Sequence, residues 1–172
     1  MILKNFLAIS TVALQLSMGS VYAKGPVLSE SKKISIIQER ISFSNTKNFE
    51  AWENLHASNA CRTAPELMGE LCGSSNMRIG IEELVRAFPD YQLKLVEAFG
   101  SGLRLMAKIN ASGTFTNPIQ IGDGSFVQPT GKSFSQEWIA NITFNTKGEI
   151  IRFEEFHDQL DVYYQLGVMG NN

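Results

Sequence analysis

The residues able to do chemistry are few. Two cysteines, Cys61 and Cys72, and two histidines, His56 and His157, are the whole stock of thiols and imidazoles in 172 residues. Their spacings match no zinc pattern, so no metal site is expected. Neither cysteine has a recognisable histidine partner, and there is no Gly-x-Ser-x-Gly elbow, phosphate-cradling glycine loop or dinucleotide fingerprint. Covalent acyl transfer and nucleotide chemistry therefore drop out, and no cofactor is expected. Cys61 and Cys72 read either as a disulfide across the turn-forming stretch Thr63-Ala64-Pro65-Glu66 and Gly69, or as two small buried hydrophobes. For both histidines a surface or structural place is the better expectation.

Residues that could line a small-molecule pocket emerge from alternation late in the chain. Phe134, Gln136 and Trp138 share one strand face and offer aromatic walls and an amide, while Glu154 and Phe156 share the face of Asp158. Ordinary core packing is the competing role for the aromatic residues. Arg62 could hold an anionic or carbonyl group, or pair with Glu66. Asp158 stands before a helical segment and could cap it. His157 and Asp158 point to opposite faces of an ideal strand, so a bulge would be needed to bring them together.

These residues need a scaffold, and the composition is that of one globular domain: 44% hydrophobic and 19% charged, with 14 Gly and 5 Pro. A net charge of −2 without a basic block argues against nucleic acid or anionic lipid as partner and leaves a small, mostly neutral ligand. Residues 1–23 read as an export signal: Lys4, an apolar run from Phe6 to Met18, then Val21-Tyr22-Ala23 as the cleavage site. The expected location is periplasmic or secreted, with no membrane attachment after cleavage. Helical spacing runs from Glu30 to Phe43 (Ile34, Ile37, Ile41), through Phe49, Trp52 and Leu55, and again from Ser74 or Ser75 as cap to Phe88, where Pro89 stops it. Four alternating segments follow, Tyr91–Phe99, Leu103–Thr116, Ser133–Asn145 and Glu149–Asp158, then a short helix over Leu160–Leu166. The longer loop Asn117–Lys132 is expected at a binding mouth. Helices followed by a meandering antiparallel sheet make an α+β domain.

Five short motifs occur in order: Ala87-Phe88-Pro89-Asp90, Gly113-Thr114-Phe115-Thr116, Pro129-Thr130-Gly131-Lys132, Gly148-Glu149-Ile150, and Asp158 followed by Gln165-Leu166-Gly167. On these the chain resembles the SnoaL-like polyketide cyclases of the nuclear transport factor 2-like superfamily, over about Phe49 to Gly167. The resemblance implies a single domain over residues 24–172, in which a curved antiparallel sheet wraps around the N-terminal helices as a cone with an apolar pocket. It also implies Asp158 as the acid/base group of a cofactor-free ester cyclase or isomerase acting on a small apolar carbonyl compound. A homodimer is compatible with it. Two family histidines are replaced. Arg62-Thr63-Ala64-Pro65 stands where Arg-His-x-Pro is common, and Phe115 where Gly-Thr-His-Thr-Gly carries its imidazole. Thr63 can still hydrogen-bond a carbonyl, and Phe115 can only offer an apolar wall. The alternative is an exported, non-catalytic ligand-binding or partner-binding module of the same fold.

Overall fold

The computed structural model describes residues 28–65, 70–120 and 124–169. The expected leader, residues 1–23, lies outside them, as does Glu66. Helix α1 (Glu30–Asn45) starts at Ser29, whose hydroxyl accepts from the Lys32 amide. Its buried positions, Lys33, Ile36, Ile37, Arg40, Ile41 and Ser44, recur at three- and four-residue steps and so form one stripe. The stripe carries two cations as well as the isoleucines. Lys33 spends its Nζ on the carbonyls of Gly102 and Arg104, at 3.1 and 2.9 Å, fastening the helix to a distant turn.

Helix α2 (Phe49–Glu53) is shorter than its apolar spacing suggests, and His56 opens a strand instead of ending the helix. That strand, β1 (His56–Thr63), leads to β2 (Leu71–Cys72) and α3 (Ser74–Ala87). The α3 cap differs from expectation. Gly73, at φ 93°, occupies the cap position, because the Ser74 and Ser75 hydroxyls both donate to Glu53 Oε1. The remaining elements are β3 (Gln92–Phe99), β4 (Arg104–Thr114), β5 (Ile119–Gln120), β6 (Phe126–Val127), β7 (Ser133–Phe144), β8 (Ile150–Phe156) and α4 (Gln159–Leu166).

Six strands make one curved sheet in the order β2-β1-β8-β7-β4-β3. Every pairing is antiparallel except β1 with β8, which is parallel. The four strands of the expected meander, β3, β4, β7 and β8, pair antiparallel, and β1 adds a parallel neighbour beyond them. A strand lying before α3 returns to the edge of the last strand, and local alternation carries no information about that long-range pairing. Along β4 the residues Leu105, Ala107, Ile109 and Ala111 are buried, and along β7 Trp138, Ala140, Ile142 and Phe144, so the alternation expected of both segments puts one face of each strand in the core. Each large apolar side chain buried this way contributes about 1.5–3 kcal/mol.

Strand β8 does not keep a simple alternation. Phe144 pairs with Ile150 but Thr143 with Arg152, so β8 holds one extra residue at Ile151. Such a bulge shifts the parity of everything after it. Beyond it the inward positions are Phe153 and Glu155, and the outward ones Glu154 and Phe156. At the sheet edge Cys61 faces Cys72 across the β1–β2 pair with Cα atoms 4.1 Å apart, and their sulfurs are bonded. No helix among the described residues is long and apolar enough to cross a membrane.

Candidate functional site

Between the helices and the concave face of the sheet lies a cavity of about 250 Å³. Residues from helices and strands alike line it, with α3 contributing most. Met77, Ile81 and Leu84 come from α3, Leu71 from β2, Leu93 from β3 and Trp138 from β7, giving an apolar body. Ile119 and Gln120 of β5 edge it, so the long loop between β4 and β7 does supply part of the rim. Glu83, also at the edge, is exposed and paired with Arg86 at 2.6 Å.

The polar lining gathers at one end. Arg62 of β1 and Glu155 of β8 face each other across the parallel strand pair and form a two-pronged ion pair, Nε to Oε1 at 2.6 Å and Nη2 to Oε2 at 2.9 Å. Burial acts to raise the Glu155 pKa, but the charge and hydrogen bonds of Arg62, with Arg40 beyond, outweigh it and hold the carboxyl below the usual carboxylate range. Glu155 is therefore ionised at neutral pH.

Arg40 of α1 is 5% exposed and sits between two rings, its guanidinium carbon 4.7 Å from the Trp52 centroid and 3.9 Å from that of Phe153. Its Nε donates to His56 Nε2 at 3.3 Å. Nδ1 of that ring lies 2.9 Å from the Trp52 carbonyl, to which it donates, so the hydrogen bonds select one neutral tautomer. Burial first, and the neighbouring Arg40 charge second, push His56 down to about 3. Burial likewise lowers Arg40 to about 10, with Glu155 opposing and Arg62 adding to the fall. At neutral pH Arg40 is a cation and His56 a neutral acceptor.

Of the residues singled out by sequence, Arg62 and Trp138 line this cavity and the others occupy different places. Asp158 is exposed and caps α4, its Oδ1 accepting from the Asp161 amide at 3.1 Å. Gln136 donates to the Asp158 carbonyl and to Asp161, bracing that cap. Phe115 and Phe134 pack on Phe88, stacked at 5.3 Å and edge-on at 5.4 Å, in an aromatic cluster beside the cavity. Thr63 is the half-buried last residue of β1, in register with Glu154. Glu154 bonds Asn141 and Arg152 on the outer face, and Phe156 is 59% exposed. Both were assigned a pocket-facing place by counting from Asp158, and that assignment is corrected because β8 ends at Phe156 and Asp158 is a solvent-exposed helix cap. Arg62 pairs with Glu155, and Glu66 lies outside the described residues. His157 is half-buried, its Nε2 2.9 Å from Gln159 Oε1, and it adds to the charge acting on Glu155.

Sequence reasoning missed Arg40, Trp52, Tyr91 and Glu155. A signal existed for Arg40, a charged residue set into the Ile37/Ile41 stripe. One existed for Glu155 too, in its two-residue offset from Phe153. Among the described residues the only grouping of metal-ligating types is Cys61, Glu70 and Cys72, and its two sulfurs are consumed in the disulfide.

With this geometry in hand, comparison with known proteins places the chain. It belongs to the SnoaL-like polyketide cyclase family, whose model matches residues 35–166. No curated protein matches the sequence. Solved structures share the fold at low identity. A candidate SnoaL-like polyketide cyclase from Jannaschia sp. CCS1 superposes with a TM-score of 0.70 at 14% identity, covering 82% of this chain and 95% of that one. An LEH-like epoxide hydrolase of M. tuberculosis gives 0.63 at 7% identity, over 80% and 90%. A protein of ketosteroid isomerase-like fold from Catenulispora acidiphila DSM 44928, in complex with trimethylamine, gives 0.64 at 13%, over 77% and 92%.

Proposed function

We propose that this chain binds a small, largely apolar carbonyl compound in the cavity, with the carbonyl oxygen against the guanidinium end, and acts as an exported ligand-binding member of its family. The observation that carries this reading is the convergence of Arg40 and Arg62 on one end of an otherwise apolar cavity. Guanidinium groups donate in a fixed plane and suit an acceptor oxygen, while the aromatic and aliphatic walls suit a hydrocarbon body. Binding is favoured over catalysis by the position of the acid/base candidates. Asp158 is a helix cap in solvent, Phe115 replaces an imidazole, and Glu155 is already spent on Arg62. Export is supported by the leader-like residues 1–23 and by the Cys61–Cys72 disulfide, which an oxidising compartment preserves.

A second reading draws on Glu155 itself, the carboxylate placed inside the cavity. In that reading the chain is a cofactor-free cyclase or isomerase, with Glu155 in the proton-transfer role assigned by sequence to Asp158 and the two guanidiniums stabilising a developing enolate oxygen. One experiment separates the two. Trp52 and Trp138 are the only tryptophans of the chain and both line the cavity, so intrinsic fluorescence reports its occupancy. Titration with a panel of small cyclic and linear ketones, esters and acids is expected to give saturable quenching, abolished in Trp138→Ala. No saturable response across the panel sinks both readings. Deuterium incorporation into a bound ketone at its α carbon, lost in Glu155→Gln, replaces the binding reading with the enzymatic one.

A further inference from the structure

The cavity contains a cation whose protein partners do not account for its charge. Arg40 has no carboxylate within 4.0 Å among the described residues, and its Nε bond to His56 is its only hydrogen bond. The donors of both terminal Nη groups are left without an acceptor in a residue that is 5% exposed and lines the cavity. Beside it the Trp52 indole Nε1, in a residue 1% exposed that also lines the cavity, is buried with no hydrogen-bond partner. Buried donors are normally bonded, and the Arg40 Nη donors, open to the cavity, are placed to meet a ligand's acceptor.

The surroundings hold Arg40 in this state and do not relieve it. His56 is neutral and accepts only at Nε. The Trp52 and Phe153 rings pack on the guanidinium, its carbon 4.7 and 3.9 Å from their centroids, and offer its N–H donors no acceptor oxygen. Glu155 is engaged two-pronged by Arg62. Glu83, which also lines the cavity, is paired with Arg86.

We infer that the ligand of this cavity is a carboxylate on a small apolar body, its two oxygens taking the edge of the Arg40 guanidinium. The inference rests on the ligand-binding reading above and narrows it from carbonyl compounds at large to their anionic class. A planar carboxylate matches the fork of a guanidinium with two parallel hydrogen bonds, which a ketone or amide oxygen cannot reproduce. The body is apolar because Met77, Ile81, Leu84, Leu93 and Trp138 make up much of the remaining wall, beside Tyr91 and Gln120.

Two matched pairs of probes test this on the purified chain by tryptophan fluorescence and calorimetry: cyclohexanecarboxylate against cyclohexanecarboxamide, and hexanoate against hexanamide. At least one carboxylate is expected to bind tenfold or more tightly than its amide. Arg40→Met should remove that preference, weakening the carboxylates tenfold or more and the amides by a smaller factor, and Arg40→Lys, which keeps the charge and loses the fork, should retain part of it. If Arg40→Met does not fold, Arg40→Lys carries the test through a several-fold loss confined to the carboxylates. Amides that bind as tightly as the carboxylates overturn the inference and leave the ligand-binding reading standing, as does a carboxylate preference that survives both substitutions. Absence of binding by all four overturns the inference. Silence across the wider ketone and ester panel as well would overturn the reading beneath it.

Discussion

Glu155 and Asp158 are three residues apart, carry the same functional group, and live in opposite worlds. The Glu155 side chain is 9% exposed, facing into the cavity and gripped by Arg62, whereas Asp158 stands in solvent at the N-terminus of α4. The first is part of the cavity's electrostatics, and the second satisfies backbone amides that a helix start leaves without partners. What separates them is the end of β8 at Phe156, with Glu155 still on the strand and Asp158 beyond it. A carboxylate's role is thus set by the parity of its strand and the water around it, more than by its own chemistry.

The largest effect should come from breaking the buried partner. Glu155→Ala removes the carboxylate from the Arg62 pair and is expected to cost about 3 kcal/mol of stability, at the low end for a buried pair because Arg62 is 20% exposed. Urea unfolding measures it directly, and a cost under about 1 kcal/mol would place the pair among surface bridges.

Acid should then find the cavity end. His56 is neutral when folded and has its pKa lowered to about 3, so below about pH 6.5 the unfolded chain takes up a proton that the folded chain refuses. Stability is expected to fall by about 1.4 kcal/mol per pH unit from this group, accruing as pH drops from about 6.5 towards 3. Glu155 adds its loss only beneath about pH 4.3, since its folded pKa is held below the ordinary value and its contribution disappears as pH falls through that lower value. His56→Gln should flatten the slope between pH 6 and 5. An unchanged slope would mean that His56 is not the neutral acceptor behind Arg40.

At the other carboxylate the effects shrink. Asp158→Ala removes the cap and is expected to cost about 1 kcal/mol, with ligand response in the tryptophan signal unaltered. Asp158→Asn, also a good cap, should melt within about 0.5 kcal/mol of the parent chain and bind as before. If instead the Asn variant loses turnover on an identified substrate while its stability stays put, the contrast drawn between the two carboxylates collapses and Asp158 regains the proton-transfer role.

The sequence by itself determined the local elements and most of their faces. The stripe on α1, the inward sets of β4 and β7, the helix after Asp158 and the capping oxygen it supplies all follow from periods of 3.6 and 2 and from short-range hydrogen bonding, which depend on near neighbours alone. Even the family was written in short motifs at turns and strand ends. Tertiary structure decided the rest. The bulge at Ile151 arises from how β8 meets β7 and β1, so the inward carboxylate is Glu155 and not Glu154. The parallel docking of β1 brings Arg62 to Glu155 across most of the chain. Arg40 became a buried cation only when Trp52 and Phe153 closed over it. Each of these is a contact between residues far apart in the chain, and the free energy of a charge depends on the dielectric that those distant neighbours create, which no local period encodes.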